Sequence, residues 1–463
     1  MQHEGEEWLR DWKHFIGQQP TRRFHNPRVK EKTLSIMAHI IIKHIGAIRS
    51  VDMELKKVIV LMGPQSSGKS TIAKIICHCQ WVEKQCFSNI EHPLDEFQKG
   101  TRFYDSLVEY YRMDGYFNNE SKIEYEGDFV TIKYNHVKKK VTMTITGITD
   151  TYRYPKLAYI PSERNIVATI PNLKKYNDSN DLILYFMYDW FTARNTIREQ
   201  TFDSLLDHKL SYRFDKEDDY ISDNGTPLLL ANASSGVQSL IPLFLVLRYT
   251  LASVYDQKRP LSFEQKESST YLSNLYDHIS EMLKENPADV SESQKLLVAS
   301  GNARPARVVA ELKSQLDEWK KALQDRYEYR FTRLFIEEPE QNLFPDTQRN
   351  LVYELLEMLQ TPVERDNTLL LTTHSPYILF AINNCMMGKL VEPKLPTDVD
   401  KRIRAHRGSW ISPAEVGIYE ISKGGIVPIQ DEDGIIEDNY LNKAYKENTT
   451  EYLTLLNYFE DGE

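Results

Sequence analysis

Residues 63–70 read Gly-Pro-Gln-Ser-Ser-Gly-Lys-Ser, the spacing G-x-x-x-x-G-K-[ST], between the apolar run VIVLM and the helix-compatible run STIAKIICHCQWVEK. Strand, tight loop and helix in that order form a phosphate cradle, because successive backbone N–H groups and the positive end of the helix converge on one anion. Gly63 and Gly68 let the backbone come close, and Pro64, Gln65, Ser66 and Ser67 fill the loop between them. Lys69 is placed as the point charge for the β and γ phosphates of ATP. Ser70 is placed as a hydroxyl ligand of Mg²⁺, and Thr71 as a cap or α-phosphate contact. An α/β fold is therefore predicted.

Three further segments carry the groups such a cradle needs. RLFIEEPEQNLFP at 333–345 is a strand-type run ending in consecutive carboxylates and then proline. Carboxylates closing a buried strand are costly unless they face a cation or a reacting water. Glu337 is expected to hold Mg²⁺ through water and Glu338 to polarise the attacking water, with Glu337 and Glu340 open as alternative bases. TLLLTTHSPYIL at 368–379 runs a buried-type strand into His374, before Ser375-Pro376 opens a helix. Ligand-binding groups of α/β proteins lie at that end of their strands, so His374 is read as a γ-phosphate contact. ANASSGVQSLIPLFLVL at 231–247 places a small-residue loop before a strongly apolar helix, which exposes N–H groups to an anion. Alone it reads better as a simple Ser-Gly helix cap; its place between the phosphate loop and the acidic strand favours the anion site.

At 463 residues and 41% hydrophobic, the chain can bury roughly two to three domain-sized units or one head with large insertions. Residues 1–37 form a polar extension with the turn signals QQP and NPR. Residues 38–256 carry the phosphate loop, an antiparallel β-lobe expected at about 120–150, helical spacing from 181, and the 231–247 segment. Residues 257–330 are charged and nearly free of glycine, and read as an inserted helical hairpin. Residues 331–463 carry the acidic strand, His374 and a β/α tail. A charged fraction of 27%, no run of about 18 apolar residues and no apolar leader predict a cytoplasmic protein without a membrane span. The four cysteines, Cys77, Cys79, Cys86 and Cys385, are too few and too uneven for a disulfide framework. Cys77 and Cys79, two apart on a helix, face different sides, which suits no tetrahedral metal site. A net charge of −10 argues against a wholly nucleic-acid-binding surface, and the basic runs at 22–32 and 138–140 read as solvated segments.

The four chemistry-bearing elements, in their order, resemble the ABC ATPase superfamily. Gly63 to Ser70 match Walker A and Ser235-Gly236-Val237-Gln238 the signature; Leu334 to Glu338 match Walker B, and His374 the switch histidine. The resemblance implies an ABC-type P-loop ATPase head: a mixed sheet with helices, plus an antiparallel β-lobe. It also implies that Ser235, Gly236 and Gln238 close over nucleotide held by the Walker A of a second head. Val237 stands where a second glycine is common. Within the superfamily, EEPEQNLFP, ASSGVQS and YIPSERN are most similar to OLD-like, AAA-type ATPases, with Phe344 where histidine is usual. Many such proteins belong to bacterial anti-phage systems, including the ATPase subunits of PARIS and Septu.

The implied activity is ATP hydrolysis with Mg²⁺, in a homo-oligomer that is at least a head-to-head dimer or a higher ring, acting on a separate effector protein. DVD at 398–400 and DEDG at 431–434 lack the strand and helix setting of a TOPRIM nuclease, so no intrinsic nuclease is expected. The competing reading is an SMC-like DNA repair or recombination clamp, with DNA as partner; a transporter's nucleotide subunit fits the insertion less well.

Overall fold

A computed structural model describes residues 38–88, 94–147, 151–170, 181–206, 208–223, 225–256, 327–396, 400–436 and 439–460. The extension at 1–37 and nearly all of the hairpin expected at 257–330 lie outside the described residues, as do the basic run at 22–32 and Asp398. All of the described residues belong to one compact unit, Met37–Glu463.

The run that leads into the phosphate loop is two strands in two different sheets. β1 (His39–Ile45) and β2 (Ile48–Glu54) pair antiparallel across a tight turn. The chain then breaks at Leu55–Lys57 before the wholly buried β3 (Val58–Met62). The buried positions of β1 and β2 alternate, as in a sheet with one wet face, whereas β3 is apolar and buried at every position, as a central parallel strand covered on both faces must be. α1 (Lys69–Ser88) follows the phosphate loop and α2 (Arg102–Tyr111) packs on α1, with the His78 ring against Phe103 and Tyr111. β4 (Phe117–Glu126), β5 (Val130–Asn135) and β6 (Lys140–Ile145) form a meander. They extend the first hairpin into a five-stranded antiparallel sheet, β2-β1-β4-β5-β6. The lobe is thus larger than the 120–150 region that its alternation suggests.

β7 (Pro155–Ile160) joins the central sheet, and α3 (Leu182–Thr196) is capped by the Asp181 carboxylate, which accepts from the Ile183 and Leu184 N–H groups. A four-stranded antiparallel sheet follows, β8 (Glu199–Thr201), β9 (Leu210–Asp215), β10 (Asp218–Asp223) and β11 (Thr226–Leu229), which leads into α4 (Ser235–Leu251). The stretch Ser235–Tyr255 is, among the described residues, the one helix long and apolar enough to cross a membrane, and 72% of its apolar 18-residue window is buried inside the body. β12 (Phe331–Glu337), α5 (Pro345–Gln360), β13 (Thr368–Thr373), α6 (Pro376–Val391), β14 (Val416–Ser422), β15 (Gly425–Pro428) and α7 (Tyr440–Glu460) complete the body.

The central sheet runs β15-β14-β3-β13-β12-β7, parallel from β14 to β7 with β15 antiparallel at the edge. The carboxyl ends of β3, β13, β12 and β7 therefore line up on one side, which brings together loops far apart in sequence. A buried ion cluster locks these layers. Arg333 of β12 donates to Glu83 of α1 at 2.9 Å and to Asp128 of the β4–β5 turn at 2.6 Å. Glu83 also accepts from the Phe129 N–H at 2.7 Å and the Tyr125 hydroxyl at 3.1 Å. A buried pair recovers its desolvation cost only when its remaining polar atoms find partners, as both carboxylate oxygens of Glu83 do here.

Candidate nucleotide site

The phosphate loop is held in an unusual backbone shape. Ser66 sits at φ 58 and Gly63 at φ 153, and a Cβ on Gly63 would meet the Ile421 carbonyl oxygen at 2.7 Å. Glycine is thus needed there for both conformation and close packing. Lys69 is 5% exposed and curls back over the loop, donating to the carbonyls of Gly63 at 2.8 Å and Pro64 at 2.9 Å. Its third direction faces His374 Nδ1 at 3.5 Å. Burial lowers the Lys69 pKa, while the carboxylates of Glu338, Glu340 and Glu337 work in the opposite direction. Thr71 is buried in the first turn of α1.

Ser70 and Glu337 meet directly. The Ser70 hydroxyl donates to Glu337 Oε2 at 3.0 Å, and the Tyr159 hydroxyl of β7 donates to Glu337 Oε1. Burial raises the Glu337 pKa above the ordinary carboxylate value; Lys74 and the two hydroxyls act against that. A hydroxyl and a carboxylate in contact are the hard oxygen pair that Mg²⁺ takes from a protein when phosphates and water supply the rest. The same donor set is too small to hold a cation alone, and the described residues contain no group of three or more His, Cys, Asp or Glu placed for a metal. Cys77, Cys79 and Cys86 are buried free thiols of α1.

Glu338 follows β12 in a left-handed conformation, φ 44. Its N–H still donates to the Thr372 carbonyl at 3.0 Å, and its side chain turns toward His374 Nε2 at 3.1 Å. The tautomer that suits both neighbours of His374 carries its proton on Nε2, toward Glu338, and offers Nδ1 to the Lys69 ammonium. His374 is fixed through its backbone: its N–H donates to Glu340 Oε1 at 2.6 Å, and the Thr373 hydroxyl donates to the same oxygen at 2.9 Å. Burial raises the Glu340 pKa, and its Oε2 has no hydrogen-bond partner. Ser375 caps α6 by accepting from the Tyr377 N–H.

Ser235 begins α4, and it and the preceding Ser234 are exposed, with no side-chain cap. Gly236 packs so closely on the loop after β12 that a Cβ would meet the Asn342 carbonyl oxygen at 2.8 Å. Gln238 turns into its own loop, donating to the carbonyl of Ala231 at 2.9 Å. Among the described residues, no hydrogen bond joins Ser234–Gln238 to Gly63–Thr71. One chain thus gathers Ser70–Glu337 and Lys69–His374–Glu338 as two adjacent hydrogen-bonded sets and keeps the Ser235 loop outside them.

Two contributors are not named by the motifs. Tyr159 is the penultimate residue of β7 and Arg164 lies five residues after it. Arg164 is fully buried and donates to the carbonyls of Glu337 at 2.9 Å and Glu338 at 2.8 Å. The signal available in sequence is an arginine just past a parallel-type strand in YIPSERN.

Residues 321–379, which include β12, the acidic loop and His374, match the family described as "AAA domain, putative AbiEii toxin, Type IV TA system". No curated protein sequence matches the chain. Solved structures similar to it include the SMC head domain from Thermotoga maritima, at 11% identity and TM-score 0.35, covering 85% of this chain and 99% of that one. The recombination mediator protein RecF-ATPrS in the RecFOR pathway aligns at 12% identity and TM-score 0.28, with 85% and 98% covered. An ATP-binding cassette of an ABC transporter in its ADP conformation aligns at 13% identity and TM-score 0.25, with 84% and 89% covered. At these scores the likenesses add no argument of their own. The strand order and loop placement are those of an α/β P-loop nucleotide-binding head.

Proposed function

We propose that the chain is an ATP hydrolase whose nucleotide-dependent head-to-head association regulates a separate effector protein in anti-phage defence. The observation that carries this reading is that Ser70–Glu337 and Lys69–His374–Glu338 form two hydrogen-bonded sets side by side at the ends of β3, β12 and β13, next to a signature loop exposed and unbonded to them. The first half supplies groups for hydrolysis. The second supplies the anion-binding helix start a second copy would meet.

The phosphate loop would bind the β and γ phosphates, with Lys69 exchanging its two loop carbonyls for phosphate oxygens. Mg²⁺ held at Ser70 and Glu337 would offset phosphate charge. Glu338 would take a proton from the attacking water, whose oxygen bonds the γ-phosphorus as the bond to the β-phosphate oxygen breaks; His374 holds the Glu338 carboxylate in place. Gly63, Pro64, Gln65, Ser66, Ser67, Gly68 and Thr71 complete the cradle, and Ser235, Gly236 and Gln238 of a second copy cap it. The defence role is supported by the family description, which names a toxin of a toxin–antitoxin system.

The test is size-exclusion chromatography with light scattering on Glu338→Gln protein co-expressed with its genomic neighbours, with and without ATP and Mg²⁺. Assembly that depends on ATP and carries a neighbour supports the proposal. Assembly that appears only when DNA is added replaces it with an SMC-like clamp.

A further inference from the structure

Arg164 has an environment unlike that of the other buried arginines among the described residues, Arg194, which pairs with Asp219, and Arg333. Arg333 faces carboxylates, whereas the hydrogen bonds of Arg164 all go to backbone carbonyls. Nε donates to Ser239 at 3.3 Å; Nη1 to Glu337 at 2.9 Å and Pro161 at 3.4 Å; Nη2 to Glu338 at 2.8 Å and Pro339 at 3.4 Å. Five N–H groups meet five carbonyls, in a side chain with 0% exposure. The arrangement clamps a backbone shape instead of neutralising a charge.

The shape it clamps is that of the acidic loop. Glu338 sits at φ 44, a conformation disfavoured for any residue with a Cβ, and persists only where its surroundings over-determine it. The Thr372 carbonyl holds the Glu338 N–H, and Arg164 holds the Glu337 and Glu338 carbonyls on either side of the strained residue. At its far side the guanidinium is anchored on Ser239 of α4, and Ser239 Oγ accepts from Asn342 Nδ2 at 3.1 Å. The peptide planes around Glu338 are thereby fixed from three elements.

We propose that Arg164 is a positioning residue for hydrolysis: its fork holds Glu338 in the left-handed conformation that carries the carboxylate to His374. This rests on Glu338 being the base. Arg164 touches no reacting group, so its removal acts on turnover and leaves nucleotide affinity intact. A carboxylate displaced by an ångström or so loses on the order of 10²-fold in rate. Lysine cannot replace it, because an ammonium cannot span two carbonyls as a planar fork does.

The experiment compares ATP affinity and single-turnover hydrolysis for wild type, Arg164→Gln, Glu338→Gln and the double variant. The expected result is unchanged ATP affinity and about a 10²-fold slower turnover for Arg164→Gln. Little further loss should appear when the change is made in the Glu338→Gln background, since both act through one carboxylate. Multiplicative losses in the double variant, or weakened ATP affinity in Arg164→Gln, overturn the proposal. Should Arg164→Gln not fold, Arg164→Lys keeps charge and bulk and must show the same split; full activity in it also overturns the proposal. Wild-type protein that hydrolyses no ATP defeats both this inference and the reading it rests on, whereas active wild type with equally active Arg164 variants defeats this inference alone.

Discussion

Glu337→Gln should make the nucleotide-free protein more stable and the nucleotide-bound protein less so. Glu337 is 6% exposed and its pKa is raised chiefly by burial, so its ionised form is a net burden before any cation is bound. Glutamine has the same shape. Its oxygen can still accept from the Tyr159 hydroxyl, and its amide can donate to Ser70 Oγ, so both contacts survive while the buried charge disappears. Removing such a charge without leaving a partner unpaired gains about 1–2 kcal/mol, since Lys74 already offsets part of the cost. For a chain of this size that is a rise in Tm of about 2 °C. Saturating Mg–ATP at about 100 times Kd adds about 2.7 kcal/mol to the wild type and, under the proposed role of Glu337 in holding Mg²⁺, less to the variant. The order of the two proteins therefore reverses on adding Mg–ATP. Acid should shrink the nucleotide-free difference. A carboxylate with a raised folded pKa is destabilising above that pKa, and the folded state takes up the proton first as pH falls toward the ordinary carboxylate range. Thermal unfolding of both proteins, with and without Mg–ATP and across pH, decides the matter. A variant less stable without nucleotide, or one that gains as much from Mg–ATP as wild type, would refute the reasoning.

Lys69→Ala removes the cation that the loop holds between Gly63, Pro64 and His374, and ATP affinity should fall by about 10²-fold or more in a fluorescent-nucleotide titration. Wild-type affinity would dismiss the phosphate-loop assignment. Glu338→Gln should keep ATP binding and lose about 10²- to 10⁴-fold in turnover; normal hydrolysis would move the base to Glu337 or Glu340. Ser235→Arg places a long side chain on an exposed helix start, so it should leave ATP binding intact and block both ATP-dependent association and hydrolysis. Association unchanged in light scattering would remove this loop from the interface.

The parts of the site legible in sequence are those where chemistry and local backbone coincide. GPQSSGKS, the carboxylates after β12 and the histidine after β13 each sit at a strand end marked by an apolar run and a breaker. The parts that escape are non-local. Tyr159 and Arg164 matter only because β7 lies beside β12, and no spacing within YIPSERN reveals that pairing. The run 51–62 looks continuous in sequence, yet β2 and β3 part into different sheets at Leu55–Lys57, because one alternates and the other is buried on both sides. The sheet of β8–β11 leaves no clear pattern: its strands bury few side chains, and β11 buries none.

Where strain lies in this head supports the same division of roles. Among the described non-glycine residues with positive φ are Ser66 in the phosphate loop, and Glu338 and Asn342 in the acidic loop. Each is a polar residue beside a group assigned to phosphate, water or the signature helix, and none sits in a hairpin turn that would demand the conformation locally. Left-handed backbone at such a residue costs about 1–3 kcal/mol and endures only if other contacts repay it. Here the contacts are identifiable: Arg164 and Thr372 for Glu338, and the Gly236 backbone and Ser239 for Asn342. The acidic loop therefore cannot relax without disturbing the start of α4. Under the proposed head-to-head closure, one copy's signature loop and its own catalytic carboxylate are two ends of a single strained unit, so a second copy docking on Ser235 would press on the loop that positions Glu338.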